Sequence, residues 1–171
     1  MKPVSETPTK PVDYALLSGT YSSLMVLSAA TARHRDPISP VEYVPLAAAT
    51  FALSKLLVQE KVETWIRQPF VEEGADGKRP KGRRLRYAIG ELLTCTRCSG
   101  AWSALALVSL RAHAPDTART VITLLTVTAG NDLMHGGFAW LTARSNYESA
   151  RAEAAQAGQL SFELNRAPQA A

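Results

Sequence analysis

The sequence is poor in cysteine and lacks the familiar catalytic signatures. Only two of its 171 residues are cysteines, too few for a disulfide scaffold. It contains no G-x-S-x-G, no phosphate-binding loop, no dinucleotide fingerprint and no H-E-x-x-H, so an enzymatic function has little support. Charged residues make up 20% and apolar residues 46% of the chain, which excludes wholesale disorder.

The chain does have four apolar blocks that are segregated from its charges. They are Tyr14–Ala32, Tyr43–Ser54, Ile89–Leu110 and Thr120–Ala143. No stretch with the two-residue period of a strand competes with them, so they predict an all-α fold with about four main helices. The first block is uncharged and approaches the length of about 20 residues that crosses a bilayer. We therefore expect a small transmembrane helical bundle, with a soluble bundle of apolar core helices as the alternative.

Composition shifts divide the chain into three parts. Residues 1–12, which include three prolines, are predicted to be a flexible N-terminal tail. Residues 13–143 form the predicted helical membrane domain, and residues 144–171 a polar C-terminal extension. A loop at residues 71–86 separates the second and third helices. Its second half is strongly basic, so the positive-inside tendency places this loop, and with four crossings both termini, in the bacterial cytoplasm.

The basic half of this loop is the strongest charge feature of the sequence. It carries six cationic residues: Lys78, Arg79, Lys81, Arg83, Arg84 and Arg86. Such a cluster could contact anionic lipid headgroups, where each charge contributes about 1 kcal/mol. Nucleic acid is a weaker alternative, because no aromatic stacking platform or binding motif accompanies the charges. The simplest interpretation is a solvated loop that sets the topology.

Both cysteines lie in one C-x-x-C pair, Cys95 and Cys98. In a redox site, Cys95 would be the attacking thiolate, favoured by a helix N-terminus and by Arg97. In a metal site, the pair would supply two of the four ligands of zinc, with the histidines or a second chain supplying the others. In a packing role, small residues around the pair would let another helix approach closely.

Four polar residues lie inside or at the edge of apolar blocks, where an unpaired charge is costly. They are Lys55, Glu91, Asp132 and His135. The spacing of Asp132 and His135 places both on one helix face. Lys55 could pair with Asp132 or Glu91 and so join three blocks. A buried pair that fixes helix register is favoured over a proton or ion relay.

Several segments resemble a known bacterial family, the domain of unknown function thirteen-sixty. They are Ala52–Val58, Ile66–Phe70, the E-L-L-T-C-x-x-C-x-G-x-W pattern ending at Trp102, and Ala129–His135. The resemblance covers roughly residues 45 to 140, and it departs from the family at Thr96, where members often carry proline. It implies a small membrane protein and brings no activity with it. The Ala/Arg-rich composition suggests an actinobacterial source or a phage.

The sequence therefore predicts a small integral membrane protein that assembles with a protein partner or with itself and performs no catalysis. One alternative is a membrane thiol-redox or zinc-binding module centred on the C-x-x-C pair. Another is a soluble or phage-encoded structural subunit whose helices are buried against partners. No cofactor is expected, apart from zinc in the first alternative.

Overall fold

A computed structural model of the chain describes residues 6–75 and 77–166, with side chains as far as residue 158. Residues 1–5 of the predicted tail and 167–171 of the predicted extension lie outside the described residues. Within the described ranges there are six α-helices and one two-stranded hairpin. The helices are α1 (Pro11–Ala32), α2 (Tyr43–Gln59), α3 (Thr64–Arg67), α4 (Leu85–Thr94), α5 (Thr96–His113) and α6 (Pro115–Arg166), and the strands are β1 (Val71–Gly74) and β2 (Gly77–Pro80).

The all-α fold class is confirmed, and the helix number differs from the expected four. The third apolar block is divided into α4 and α5 because the backbone of Cys95 is extended, with φ −109° and ψ 108°. The short helix α3 follows α2 after a 3-10 turn at Lys61–Glu63. The predicted loop at residues 71–86 also contains structure, since its first part folds into the antiparallel β1–β2 hairpin.

The chain divides into two compact units, residues 1–129 and residues 130–171, and the boundary falls within α6. In the first unit, α5 packs against both α1 and α2. Two contacts show that α1 runs parallel to α5. The rings of Tyr21 and Trp102 meet edge to face at 5.4 Å, and seven residues later on both helices the hydroxyls of Ser28 and Ser109 lie 2.8 Å apart. Helices α1 and α5 therefore run in the same direction along their contact.

Helix α2 runs antiparallel to α5. A Cβ placed on Gly100, near the start of α5, would lie 3.9 Å from the Cβ of Ser54, near the end of α2. At the other end, Arg111 Nη2 donates to Glu42 Oε1 at 2.9 Å, just before α2 begins. Small side chains bring the two helices together, and a core cluster of Leu46, Ala49, Leu107, Ala118 and Ile122 lies where α2, α5 and the first turns of α6 meet.

Two helices among the described residues are long and apolar enough to cross a membrane by length and composition. The first spans Pro11–Ala32, and its most apolar 18-residue stretch has a mean hydropathy of 1.2 and no buried residues. The second spans Pro40–Gln59, and its most apolar 18-residue stretch has a mean hydropathy of 1.4 and 28% of its residues buried. Their large apolar side chains point outward: Val26 is 63% exposed, Val44 76% and Phe51 52%. A core helix of a soluble protein is mostly buried, so the first unit has unusual apolar surface.

A lysine of the hairpin and a buried arginine cap the C-terminal end of α2. Arg67 is only 1% exposed, and its guanidinium donates to the carbonyls of Leu57 and Glu60, each at 2.8 Å. Lys78, on β2, donates to the carbonyls of Val58 and, at 3.1 Å, Gln59. The last carbonyls of a helix have no partner within the helix, and cations suit its C-terminal end. Two cationic side chains therefore cap α2.

The hairpin also docks directly on α4. A Cβ on Gly90 would lie 2.4 Å from the Phe70 carbonyl oxygen and 3.0 Å from Pro80 Cβ. That carbonyl accepts a hydrogen bond from the backbone N–H of Lys81 at 2.8 Å, so it cannot move away freely. Glycine at this position is what allows α4 and the hairpin to touch.

The second unit, taken by itself, is the continuation of α6 from Gly130 to Arg166. Its early part carries exposed apolar residues: Leu133, Met134, Phe138, Trp140 and Leu141. Beyond them the helix becomes polar, and Arg144 Nε donates to Glu148 Oε1 one turn later at 3.0 Å. Such i,i+4 pairs stabilise an exposed helix by a few tenths of a kcal/mol, about 0.3 to 0.5.

Candidate functional site

The C-x-x-C pair lies at the junction of α4 and α5. Cys95 is the N-cap of α5, and its sulfur accepts the backbone N–H of Cys98 at 3.3 Å. The thiol of Cys98 points at the same sulfur, with the two Sγ atoms 2.7 Å apart. Both cysteines are free thiols and half-buried. The junction is held by Ser99, whose hydroxyl donates to the Leu92 carbonyl of α4 at 2.8 Å.

The surroundings of Cys95 favour its thiolate. Burial alone would raise the pKa of this thiol, but hydrogen bonds from the Cys98 thiol and backbone N–H outweigh that effect. The backbone N–H and the positive charge of Arg97 act in the same direction, so the pKa of Cys95 lies below its ordinary value of 9.0. A thiolate at a helix N-terminus is the form that attacks disulfides and electrophiles.

The pair has no further metal ligands nearby in the part of the chain that the structure describes. Within residues 6–75 and 77–166, no group of three or more His, Cys, Asp or Glu is placed to hold a metal ion. His113, one of the predicted partners, lies at the far end of α5, where its Nε2 is 2.7 Å from the Thr31 hydroxyl. Among the described residues, Cys95 and Cys98 alone supply two of the four ligands that a structural zinc ion takes.

A cavity of about 480 Å³, open on one side, lies next to the cysteine pair and is lined by α1, α4 and α5. Its walls are largely apolar and include Leu17, Tyr21, Leu92 and Trp102, while Cys98 presents its side chain to the same space. Ligand sites in proteins are typically concave, mostly apolar and of this size, with a few polar groups that fix orientation.

Polar residues of the cavity include Tyr14, Glu91, Ser18 and Ser22, and the Tyr14 hydroxyl donates to Glu91 Oε2. Tyr14 in turn accepts a hydrogen bond from Thr9 Oγ1 at 3.2 Å, and Thr9 lies 2.6 Å from the hydroxyl of Thr7. A chain of hydroxyl groups therefore runs from the residues before α1 to a carboxylate inside the cavity. Such a chain can carry protons between solvent and the site.

A second cavity, of about 450 Å³, continues along the same pair of helices. It lies between α1 and α5, shares Trp102 with the first cavity, and reaches Thr31 and His113 at the far end. Leu24, Leu27 and Leu105 form most of its apolar lining. The two cavities together make one groove along α1 and α5, with the thiol at one end and Thr31 and His113 at the other.

The four residues of the predicted polar group lie on three helices. Lys55 is on α2 and Glu91 on α4, both in the first unit, whereas Asp132 and His135 are on α6 in the second unit. Glu91 is bonded to Tyr14, a partner that the sequence analysis did not identify. The pairing of Lys55 with Asp132 or Glu91 stays a prediction.

The six predicted cationic residues divide between internal bonds and the surface. Lys78 caps α2, and Arg84 Nε donates to both oxygens of Asp13, at 3.2 and 3.0 Å. Arg86 Nε donates to the Pro69 carbonyl at 2.8 Å. Arg79 and Arg83 are exposed, and Lys81 is half-buried. Contact with anionic lipid stays a prediction, and the exposed members of the cluster would make it.

Several bonds that hold the site together have no signature in the sequence. Asp13 is 2% exposed and ties the start of α1 to Arg84, whose backbone N–H also donates to the Pro8 carbonyl at 2.8 Å. Arg84 has φ 57°, an uncommon value for a residue with a side chain. The only available signal was a lone aspartate at the start of an apolar block, where unpaired charge is costly.

Comparison with known proteins gives a family and one named relative. Residues 45–137 match the model of a family described as "Protein of unknown function (DUF1360)". The chain is also 36% identical, over 99 residues, to the "Sporulation protein YjcA" of Bacillus subtilis (strain 168), covering 53% of this chain and 84% of that protein. No solved structure matches the chain. The family span includes the cysteine pair and begins after α1.

Proposed function

This chain belongs to the DUF1360 family of proteins of unknown function, and we propose that it is a small α-helical membrane protein. Its role is to assemble with a protein partner or with other copies of itself, without catalysis of its own. The single observation that carries the proposal is the outward-facing apolar surface of α1 and α2. Val26, Val44 and Phe51 would be costly to leave in water and suit contact with lipid.

The polarity of the two ends of the bundle supports a membrane orientation. The hairpin, the basic cluster and the residues before α1 share one end, because Arg84 bonds to Asp13 and Glu91 to Tyr14. The opposite end holds Glu42 and Arg111. By the positive-inside tendency, we propose that the basic loop and both termini lie in the cytoplasm of a bacterial cell.

Fractionation tests the membrane assignment. The full chain is expressed in a bacterial host, membranes are washed with alkaline carbonate, and the protein is followed by immunoblot. We expect it to stay in the washed membrane, because carbonate removes peripheral proteins and leaves spanning helices in place. Release into the supernatant, alone or in a large particle, would overturn the proposal and favour a soluble or phage-encoded subunit.

A name among the relatives supports a biological process. The Bacillus subtilis protein is named a sporulation protein, and we propose the same process for this chain. In its native host, transcript abundance should rise when spores form. Equal abundance during growth and sporulation would contradict this part of the proposal without affecting the membrane assignment.

A second candidate function is a thiol-redox module, favoured by the 2.7 Å separation of the two cysteine sulfurs. Two thiols at this distance can form an S–S bond with little backbone movement. The test is alkylation of Cys95 by iodoacetamide as a function of pH in the full chain, with Cys98→Ala as the matched variant. We expect the wild-type midpoint below 9.0 and a higher midpoint in the variant, which lacks the thiol donor. Equal midpoints would contradict this role.

A further inference from the structure

The groove between α1 and α5 combines two features that are seldom found together. One end holds a dithiol, Cys95 and Cys98, beside the carboxylate of Glu91. The remainder is an open, mostly apolar groove formed by two cavities of about 480 and 450 Å³ that share Trp102, with Thr31 and His113 at its far end. A ligand that fills this groove has a compact, redox-active and hydrogen-bonding head and an extended apolar tail.

We propose that the groove binds a membrane quinone and that the Cys95–Cys98 dithiol passes its electrons to the quinone ring. The quinone head would occupy the cavity lined by Tyr21, Trp102 and Cys98, and the isoprenoid tail would follow the cavity lined by Leu24 and Leu105. This inference deepens the second candidate function, the thiol-redox module, and rests on it. It also fits the membrane assignment, since lipid is where such quinones reside.

The head cavity has aromatic side chains in its wall. Tyr21 and Trp102 stand edge to face with centroids 5.4 Å apart, and both line the head cavity. Aromatic side chains stack favourably on planar rings. The quinone oxygens accept hydrogen bonds and the hydroquinone hydroxyls donate them, and the cavity supplies a hydroxyl donor, Tyr14, and a carboxylate acceptor, Glu91. A simple fatty acyl chain would use neither the thiols nor this polar pair.

The electron transfer balances within the pair and the quinone. Cys98 passes its thiol proton to the Cys95 sulfur that it faces, and Cys98 Sγ, which lines the cavity, adds to a ring carbon, forming an S–C bond while an electron pair moves to one quinone oxygen. Cys95 Sγ then attacks Cys98 Sγ, the S–S bond forms, and the S–C bond breaks with its electron pair entering the ring. The two thiol protons end on the two quinone oxygens. The dithiol is oxidised to a disulfide and the quinone is reduced to a hydroquinone.

The groups around the pair can move these protons. Cys95 loses its proton most readily, and Glu91, on the wall shared with Cys98, can accept one and return it to a quinone oxygen. The hydroxyl chain through Tyr14 and Thr9 connects this carboxylate to solvent. In a reducing cytoplasm, cellular thiols would return the disulfide to the dithiol form. The oxidation state of the pair would therefore report how oxidised the quinone pool is.

The experiment is a single-turnover oxidation of the full chain in detergent micelles. The reduced protein, freed of reductant, is mixed with decylubiquinone, whose ring is fully substituted and so forms no stable thiol adduct. Quinone absorbance and free thiols, counted by the mass added by a maleimide, are followed together. We expect both thiols to be lost for each quinone reduced. Diamide, a quinone-independent thiol oxidant, is applied in parallel.

Cavity-filling variants separate binding from mere oxidation in the micelle. Ala101 lines the head cavity and is exposed, so Ala101→Trp fills the space without entering the core. Val108 is 41% exposed, lies on the same helix and lines neither cavity, so Val108→Trp is the matched control. We expect Ala101→Trp to slow quinone reduction about tenfold or more, the equivalent of 1.4 kcal/mol of binding, and Val108→Trp to leave it unchanged.

The tail cavity has its own variant. Ala106 lines it, and Ala106→Trp should slow oxidation by decylubiquinone while leaving oxidation by duroquinone, which has no tail, unchanged. Equal quinone rates in the wild type and Ala101→Trp would overturn the proposal, because oxidation would then not need the groove. Disulfide formation with diamide but not with quinone would overturn it as well and leave the thiol-redox module standing. Failure with both oxidants would remove both.

Discussion

At the scale of single residues, Gly90 is the position where one added methyl group has the clearest consequence. A Cβ there would lie 2.4 Å from the Phe70 carbonyl oxygen, and that oxygen is fixed by a hydrogen bond from Lys81. We expect Gly90→Ala to lower the free energy of unfolding by about 1 to 3 kcal/mol, the usual cost of overpacking. Thermal unfolding in detergent, followed by circular dichroism, measures it.

Gly19 supplies the matched control for this substitution. It lies within α1, and a Cβ placed on it meets nothing within 4 Å. Gly19→Ala should therefore raise the helix stability by about 1 kcal/mol, since alanine is the better helix former. If the two variants unfold at the same temperature, the close approach of α4 and the hairpin is wrong.

Protonation of Glu73 is expected to lower the stability of the fold. The hydrogen bond from Arg67 holds the pKa of Glu73 below its ordinary 4.5, against the smaller opposing effect of burial. A lowered carboxyl pKa contributes stability that is present above the unfolded-state value and is lost as the pH falls through the folded-state value. Wild-type protein should therefore lose stability below about pH 4.5.

The variant Glu73→Gln isolates this contribution, because its amide keeps a hydrogen-bond acceptor for Arg67 but does not titrate in this range. We expect it to melt below the wild type at neutral pH, with the difference shrinking as the pH falls below 4.5. Melting temperatures of both proteins over this pH range measure it. A difference that is the same at every pH would show that the ion pair has no part in the fold.

At the scale of elements, the end of α2 depends on side chains from outside the helix. Lys78 reaches it from β2 and donates to the Gln59 carbonyl at 3.1 Å, and burial lowers the pKa of this lysine. We expect Lys78→Met to cost about 1 kcal/mol, the scale of a cation at a helix C-terminus. Arg83→Met, which removes an exposed cation of the same cluster, should cost less than half as much. Equal losses would contradict the capping role.

The elements also show where sequence patterns succeed. Long apolar blocks predicted the four long helices, because length and uninterrupted apolarity need no partner to be recognised. The hairpin was missed, since Glu72, Glu73, Lys78 and Arg79 give its strands no alternation of apolar and polar residues. It is held by contacts from elsewhere, the close approach at Gly90 and the bonds of Arg67. Tertiary contacts of this kind leave no local pattern.

The candidate site was foreseen in part for the same reason. The C-x-x-C pattern identified the thiol pair, because the two intervening residues form the first turn of α5 and bring the sulfurs of Cys95 and Cys98 close together. The cavity beside it depends on α1, which is distant in sequence and contributes side chains such as Tyr14 and Tyr21 to the cavity wall. No sequence pattern within one apolar block predicts a cavity between three helices.

At the scale of the whole molecule, the fold of the first unit predicts which residues lie on opposite sides of the membrane. Lys81, beside the hairpin, and His34, after α1, lie at opposite ends of the bundle. Each is changed to cysteine in a background that carries Cys95→Ala and Cys98→Ala. In intact cells, we expect a membrane-impermeant maleimide to label His34→Cys and to leave Lys81→Cys unlabelled until the cells are opened. Labelling of both positions from outside would contradict a spanning α1.

The position of α1 relative to the family span bears on how this protein differs from its relatives. The span that matches the family begins at residue 45, so the thiol pair lies inside it and α1 lies outside it. Yet α1 supplies Tyr14, Tyr21 and Leu24, one wall of the groove. In the proposed quinone site, the thiols would therefore come from inside the matched span and one wall of the ligand cavity from outside it, so a relative with a different N-terminal segment would keep the thiols and change the ligand.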